Sequence, residues 1–152
     1  MKASKKNINL ILNEALGKIK PNKSELAEIN DSVKKFLQEL EKNRKKLRIN
    51  AEIFVGGSSA KGTIIKKEHY DVDIFIRFDK KYFNDGKYAG KKENVSDLTE
   101  KMLKGTSNKS GRIHGSRDYF RAKAGNNLFF EIVPVKKIKN HKEAENVTDL
   151  SY

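Results

Sequence analysis

Two apolar segments that each contain acidic residues constrain the fold of this chain most strongly. Residues 71–78 read Asp-Val-Asp-Ile-Phe-Ile-Arg-Phe, and residues 128–135 read Leu-Phe-Phe-Glu-Ile-Val-Pro-Val. Short runs rich in β-branched and aromatic residues are typical of β-strands. We expect the first strand to be buried on both faces, because Phe75 shares a face with the two aspartates. Pro134 predicts that the second strand ends, or reaches a sheet edge, soon after it.

The first 50 residues show the three-to-four-residue spacing of apolar side chains that is typical of amphipathic helices. One helix is predicted over residues 5–18, and Pro21 interrupts the pattern. A second helix is predicted to begin at Ser24, the expected N-cap, and to end near Asn50. The apolar positions of this second helix are Leu26, Ile29, Val33, Phe36, Leu37, Leu40 and Leu47.

The remaining elements complete an α+β (mixed α/β) pattern, with a small mixed β-sheet packed by helices. They are a strand over 52–55, a loop over 79–94, a helix over 95–103 capped by Asn94 or Ser96, and a hairpin of strands 117–122 and 128–135 around an Ala-Gly-Asn-Asn turn. The length fits one domain over 1–152, with a helical N-terminal region over 1–50 and a core over 51–135.

The composition indicates which classes of partner are favoured and excludes several kinds of site. There are 33 Lys and Arg residues against 20 Asp and Glu, a net charge of +13, which favours RNA, DNA or nucleotide phosphates as partners. A lysine-rich surface kept for solubility explains the same charge. The absence of cysteine excludes disulfides, thiolate metal sites and cysteine nucleophiles. No apolar run approaches the roughly 18 residues of a membrane helix, so a cytoplasmic protein with no membrane partner is expected.

A glycine-rich segment follows the short strand directly. Residues 56–63 read Gly-Gly-Ser-Ser-Ala-Lys-Gly-Thr. Glycines at a strand end let backbone amides approach a phosphate, and nearby side chains such as Ser58 and Lys61 can then hold its oxygens. The spacing differs from that of a P-loop, and taken alone the segment is most often only a turn.

Three acidic residues form the second candidate feature. Asp71 and Asp73 project from the same face of their strand, about 6–7 Å apart, and repel each other unless a cation lies between them. Hard oxygen ligands of this kind suit Mg²⁺. The alternative is a pair of acids on a solvated strand face. Glu131, within an apolar strand, either pairs with an arginine or lysine or completes a carboxylate group with the two aspartates.

These residues together resemble the signature of the polymerase β-like nucleotidyltransferases. The resemblance is carried by Gly57-Ser58, a basic residue at Lys61, and Asp71-Val72-Asp73 followed by apolar residues. The strand with Glu131 and Val133-Pro134 resembles the third-carboxylate strand of archaeal class I CCA-adding tRNA nucleotidyltransferases, in which aspartate is more usual.

The resemblance implies the polymerase β-like fold and a two-metal mechanism. It implies that Asp71, Asp73 and Glu131 bind two Mg²⁺ ions, or Mn²⁺, and that Glu131 helps to deprotonate the attacking hydroxyl. Gly57, Ser58 and Lys61 would contact the nucleoside triphosphate, ATP or CTP. The activity implied is transfer of a nucleoside monophosphate to an RNA 3′-hydroxyl, with tRNA as the expected acceptor.

Two other functions remain open from the sequence. One keeps the enzyme site but changes the acceptor, as in oligoadenylate or cyclic-nucleotide synthesis or in a minimal transferase that modifies a protein or small molecule. The other is a basic RNA-binding module without catalysis. Arg117 and Arg121 lie among aromatic residues and are candidate RNA or nucleotide contacts, although an amphipathic strand explains them as well. His69 and His141 are expected to be a loop residue and a solvent-exposed residue.

Overall fold

A five-stranded mixed sheet forms the centre of the structure, a computed structural model that describes residues 5–84 and 94–150. The spatial order is β1-β2-β5-β4-β3; β2 and β5 are parallel, and the other neighbouring pairs are antiparallel. This confirms the predicted mixed sheet. The strands are β1 (Ala51–Val55), β2 (Tyr70–Phe78), β3 (Ser110–Ile113), β4 (Tyr119–Lys123) and β5 (Leu128–Lys136).

The helices confirm both predicted N-terminal helices and the predicted central helix. They are α1 (Lys5–Ile19), α2 (Lys23–Lys46), α3 (Gly57–Lys61), α4 (Lys81–Asn84) and α5 (Val95–Lys104), with 3₁₀ turns at His141–Glu143 and Val147–Leu150. The expected cap at Ser24 is wrong. Asn22 caps α2, because its side chain accepts from the Glu25 N–H while the Glu25 carboxylate accepts from the Asn22 N–H.

Three local elements differ from the sequence-based expectation. The glycine-rich segment forms the short helix α3, and α4 lies within the predicted loop, of which residues 85–93 fall outside the described part of the chain. Strand β3 was not predicted. It is short, contains a glycine and has little apolar character, so its pairing with β4 rather than its own sequence places it in the sheet.

The hydrophobic core lies between the sheet and the two longer core helices, α2 and α5. Phe36 of α2 stacks on Phe130 of β5, with ring centroids 4.5 Å apart, and Leu40 is fully buried beside the same sheet face. Val72 and Ile74 of β2 are also fully buried there. Each such side chain contributes about 1.5–3 kcal/mol on burial, so this face fixes which way β2 and β5 present their remaining side chains.

The opposite face of β2 is only partly covered, which corrects the expectation that this strand is buried on both sides. Phe75 is buried there, stacked at 5.4 Å on Phe54, but the Asp71 side chain is 40% exposed. The helices α2 and α5 pack on the other face, so the end of β2 that carries the acids remains accessible to a ligand.

Strand β5 ends at Lys136, two residues after Pro134, which confirms the expectation that the strand ends or reaches a sheet edge soon after this proline. Its pairing explains why proline is tolerated. On the β2 side, Pro134 is in register with Ile76, whereas the pairing with β4 ends at Ile132. The proline therefore lies where β5 has a neighbouring strand on one side only, and its missing N–H disrupts no ladder with β4.

Helix α1 forms as predicted, but much of its apolar surface is exposed. Leu10, Ile11, Leu12 and Leu16 each retain more than half of their accessible surface. Of the helices in the described ranges, none has the length and hydropathy needed to cross a bilayer.

Candidate active site

The parallel pairing of β2 and β5 brings the three predicted acids to one face of the sheet. Asp73 is in register with Glu131. Asp71 lies two residues before Asp73, in register with Phe129, and therefore projects from the same face of β2. Residues in register on neighbouring strands project from the same face, and the strands are about 4.8 Å apart. Asp71, Asp73 and Glu131, which are separated by up to 60 positions in the chain, therefore form one group of carboxylates, hereafter the carboxylate group.

Two of the three carboxylates, those of Asp73 and Glu131, have raised pKa values. Burial, and then the neighbouring Asp71 carboxylate, raise the pKa of Asp73 above its ordinary value. Burial, then Asp71, then Asp73 raise the pKa of Glu131, against a smaller lowering by Arg121. Negative charge is therefore concentrated here at a cost to the folded protein, a pattern typical of sites that bind a cation.

Arg121 of β4 lies next to this group of carboxylates. It is in register with Glu131, its Nη2 atom donates to Asp71 Oδ1 at 2.9 Å, and its Nε atom is 4.0 Å from Glu131 Oε1. Its guanidinium carbon lies 4.3 Å from the centre of the Phe129 ring, a cation–π contact. Glu131 therefore lies both on the face of the aspartates and within 4.0 Å of an arginine, the two environments considered for it.

The glycine-rich segment lies directly against Asp73. The Gly56 N–H donates to the Asp73 carbonyl oxygen at 2.9 Å. Gly57 has φ of +58°, and a Cβ atom there would collide with Asp73 Oδ2. Only glycine permits both the left-handed backbone and this approach. Ser58 follows in the first turn of α3 and is exposed, and Lys61 is the exposed last residue of that helix.

The donor set fits a small, hard divalent cation. Asp71, Asp73 and Glu131 would hold it, because they offer carboxylate oxygens whose mutual repulsion such an ion relieves. Among residues 5–84 and 94–150, no three His, Cys, Asp or Glu side chains are already arranged as ligands of one ion. The absence of such an arrangement is consistent with the hydrogen bond that turns the Asp71 carboxylate towards the Arg121 guanidinium.

The two arginines predicted as RNA or nucleotide contacts lie in different environments. Arg121 contacts the carboxylate group, whereas Arg117 forms a largely buried ion pair with Asp149 and lies over the Phe83 ring at 5.5 Å. His69 is exposed, with its ring edge against Phe129, and His141 is exposed, as expected for both. The Arg117–Asp149 pair could not be predicted from the sequence, because its partners are 32 residues apart and the tail carries no apolar periodicity.

Comparison with known proteins places the chain in a family. The family model of the Second Messenger Oligonucleotide or Dinucleotide Synthetase domain, abbreviated SMODS, matches residues 7–151. The CCA-adding enzyme of Nanoarchaeum equitans (strain Kin4-M) is 43% identical over 100 residues, which cover 66% of this chain and 22% of that enzyme. This identity confirms the resemblance to an archaeal CCA-adding enzyme.

Two solved structures share the fold at low sequence identity. Cid1, described as having RNA terminal uridylyl transferase activity, matches with a TM-score of 0.62 and 14% identity, over 93% of this chain and 39% of that one. CdnC of E. coli MS115-1, solved with ATP, matches with a TM-score of 0.61 and 19% identity, over 88% of this chain and 42% of that one. The chain thus spans less than half the length of each of these proteins. On the extent of the family match and this shared fold, the chain belongs to the SMODS family of nucleotidyltransferase domains, with the polymerase β-like fold.

Proposed function

We propose that this domain transfers a nucleoside monophosphate from ATP or CTP to the 3′-hydroxyl of an RNA, with tRNA as the acceptor. The observation that carries the proposal is the convergence of Asp71, Asp73 and Glu131 on one sheet face beside Gly57. The 43% identity to a CCA-adding enzyme and the net charge of +13 support an RNA acceptor.

The positions of the residues support the following roles. Asp71, Asp73 and Glu131 hold Mg²⁺, which, when bound, neutralises charge on the phosphates and acidifies the attacking hydroxyl. Glu131 helps to take up the hydroxyl proton. The acceptor oxygen then bonds to the α-phosphorus as the bond to the leaving pyrophosphate breaks. Gly57 and Ser58, next to Asp73, offer backbone and hydroxyl groups to the triphosphate, and Lys61 adds a positive charge.

A second candidate function keeps this site and changes the acceptor. The family match supports it, because the SMODS description names oligonucleotide or dinucleotide synthetases and the match covers nearly the whole chain. In that case the 3′-hydroxyl of a second nucleotide, rather than of an RNA, would attack the α-phosphorus.

Incubation with Mg²⁺ and α-labelled ATP or CTP, with and without tRNA, tests the proposal. We expect labelled, extended tRNA at low salt, where phosphate contacts are strongest. A labelled oligonucleotide or dinucleotide formed without RNA would favour the second candidate. Binding of tRNA without any transfer would contradict both and favour a non-catalytic RNA-binding module.

A further inference from the structure

Arg121 is a positively charged side chain that contacts the carboxylate group from a neighbouring strand. We propose that Arg121 neutralises this group in the metal-free domain and that a divalent cation replaces its guanidinium at Asp71 when the site is loaded. This inference rests on the proposed function, since it assumes that Asp71, Asp73 and Glu131 hold a metal ion. It adds a positioning residue that is not itself a metal ligand.

The placement of Arg121 is specific. Its guanidinium contacts the group from the neighbouring strand β4, through Asp71 at 2.9 Å and towards Glu131 at 4.0 Å. The hairpin register sets this position, because Arg121 is directly opposite Glu131. The positive charge of Arg121 therefore lies near both Asp71 and Glu131. Burial and like charge already raise the pKa values of Asp73 and Glu131 at this place.

The contact is also weak enough to be exchanged. The side chains of Arg121 and Asp71 are 42% and 40% exposed, and solvent screens ion pairs of that exposure strongly. A divalent ion brings twice the charge and can be shared by three carboxylates, so it competes well for Asp71. The guanidinium need not enter bulk solvent when it is displaced, because its stacking on Phe129 at 4.3 Å does not depend on Asp71.

The chain offers a matched control in Arg77. It is four residues from Asp73 along β2, about 13 Å away, and projects from the same face of the strand. It too pairs with a carboxylate, Glu52, and lies over an aromatic ring, that of Phe54 at 5.0 Å. Arg77→Gln therefore removes the same charge, ion pair and cation–π contact without touching the carboxylate group.

Calorimetric titration of the chain with Mn²⁺, in the absence of nucleotide, tests the proposal in the wild type, Arg121→Gln and Arg77→Gln. We expect Arg121→Gln to tighten Mn²⁺ binding about two- to fivefold, because the metal no longer displaces an ion pair of this exposure. Arg77→Gln should leave the affinity unchanged. Without metal, Arg121→Gln should lower the melting temperature, and added Mn²⁺ should raise it by more than in the wild type.

The outcomes distinguish a failure of this inference from a failure of the proposed function on which it rests. Mn²⁺ binding that is unchanged or weaker in Arg121→Gln would overturn the counterion role, while the proposed transfer activity would stand if the labelled-nucleotide assay is positive. Equal tightening in Arg121→Gln and Arg77→Gln would also overturn it, since general charge would then explain the effect. No Mn²⁺ binding by the wild type, together with no transfer, would refute the proposed function itself.

Discussion

The carboxylate group and Asp149 place acidic side chains in two opposite environments within one small domain. The side chain of Asp149 has no exposed surface. Its oxygens accept from the Arg117 guanidinium and from the backbone N–H groups of Lys136, Glu145 and Asn146. The carboxylate group is more open to solvent, and one exposed arginine, Arg121, contacts Asp71 and lies 4.0 Å from Glu131.

The pKa values of the two regions shift in opposite directions. Burial alone would raise the pKa of Asp149, but hydrogen bonds from Arg117 and from the Lys136 and Glu145 N–H groups outweigh burial and lower it. The pKa values of Asp73 and Glu131 are raised instead. Asp149 thus stabilises the fold by fixing the C-terminal segment to β5, whereas the ionised forms of Asp73 and Glu131 reduce the stability of the fold.

The largest expected effect is on catalysis, at Asp73. Asp73→Ala removes a proposed metal ligand, and we expect turnover in the labelled-nucleotide assay to fall by about three orders of magnitude, as loss of several kcal/mol of transition-state stabilisation requires. Asp31→Ala, at an exposed position on α2, is the control and should retain full turnover. Circular dichroism should show both variants folded. Transfer at the wild-type rate by Asp73→Ala would remove the distinction between the two regions.

The next effect is on stability, at Asp149. Asp149→Ala leaves the largely buried Arg117 guanidinium without its partner, so we expect the free energy of unfolding to fall by about 3 kcal/mol. Asp118→Ala, which breaks a more exposed pair with Arg112, should cost about 1 kcal/mol or less. Urea titration measures both losses. Equal losses would show that Asp149 is no more important to the fold than a surface acid.

A pH series sharpens the comparison further. Because the pKa of Asp149 is lower in the folded state than in the unfolded state, its contribution is complete above the ordinary Asp value of about 3.9 and is lost as pH falls through the lower folded value. The difference in unfolding free energy between wild type and Asp149→Ala should therefore be constant from pH 7 to about 5 and shrink below about 3.9. A difference that grows on acidification would contradict the assigned direction.

The smallest effect is a gain in stability at the carboxylate group. The raised pKa of Asp73 means that its ionised form is less favourable in the folded state than in the unfolded state. Asp73→Asn keeps the shape and removes the charge, so we expect a rise in melting temperature of about 2 °C at pH 7 without metal. Asp149→Asn should lower it under the same conditions. A lower melting temperature for Asp73→Asn would mean that this carboxylate stabilises the fold.

Strand periodicity was enough to predict that Asp71 and Asp73 share a face, whereas the place of Glu131 beside them was expected only from the family resemblance, because the register between two strands is not contained in the periodicity of either. Asp71 and Asp73 follow a strict apolar alternation, and Glu131 is flanked by positions that must be buried. Their catalytic role stays a prediction. The burial of the shared face could not be predicted correctly at Asp71, because which side of the sheet the helices cover is decided by packing of α2 and α5.

The place of Arg121 could not be predicted from the hairpin turn. Counting four turn residues over 124–127 would pair Lys123 with Leu128 and put Arg121 opposite Phe130. In the structure the Ala124 N–H donates to the Leu128 carbonyl, and Lys123 is in register with Phe129. This difference of one residue brings Arg121 opposite Glu131, and it depends on turn geometry that short polar sequences specify poorly.

The parallel register between β2 and β5 has a consequence for how this domain can vary. Because the pairing of β2 with β5 rather than proximity in the chain brings Asp73 to Glu131, insertions in the loops of the connection between these strands should leave the carboxylates in place, provided that β4 and its register with β5 are kept. Deletion of one residue inside either strand would instead rotate an acid into the apolar interior. Lineages that share this site can therefore be expected to differ freely in the length of that connection while keeping the spacing within each strand constant.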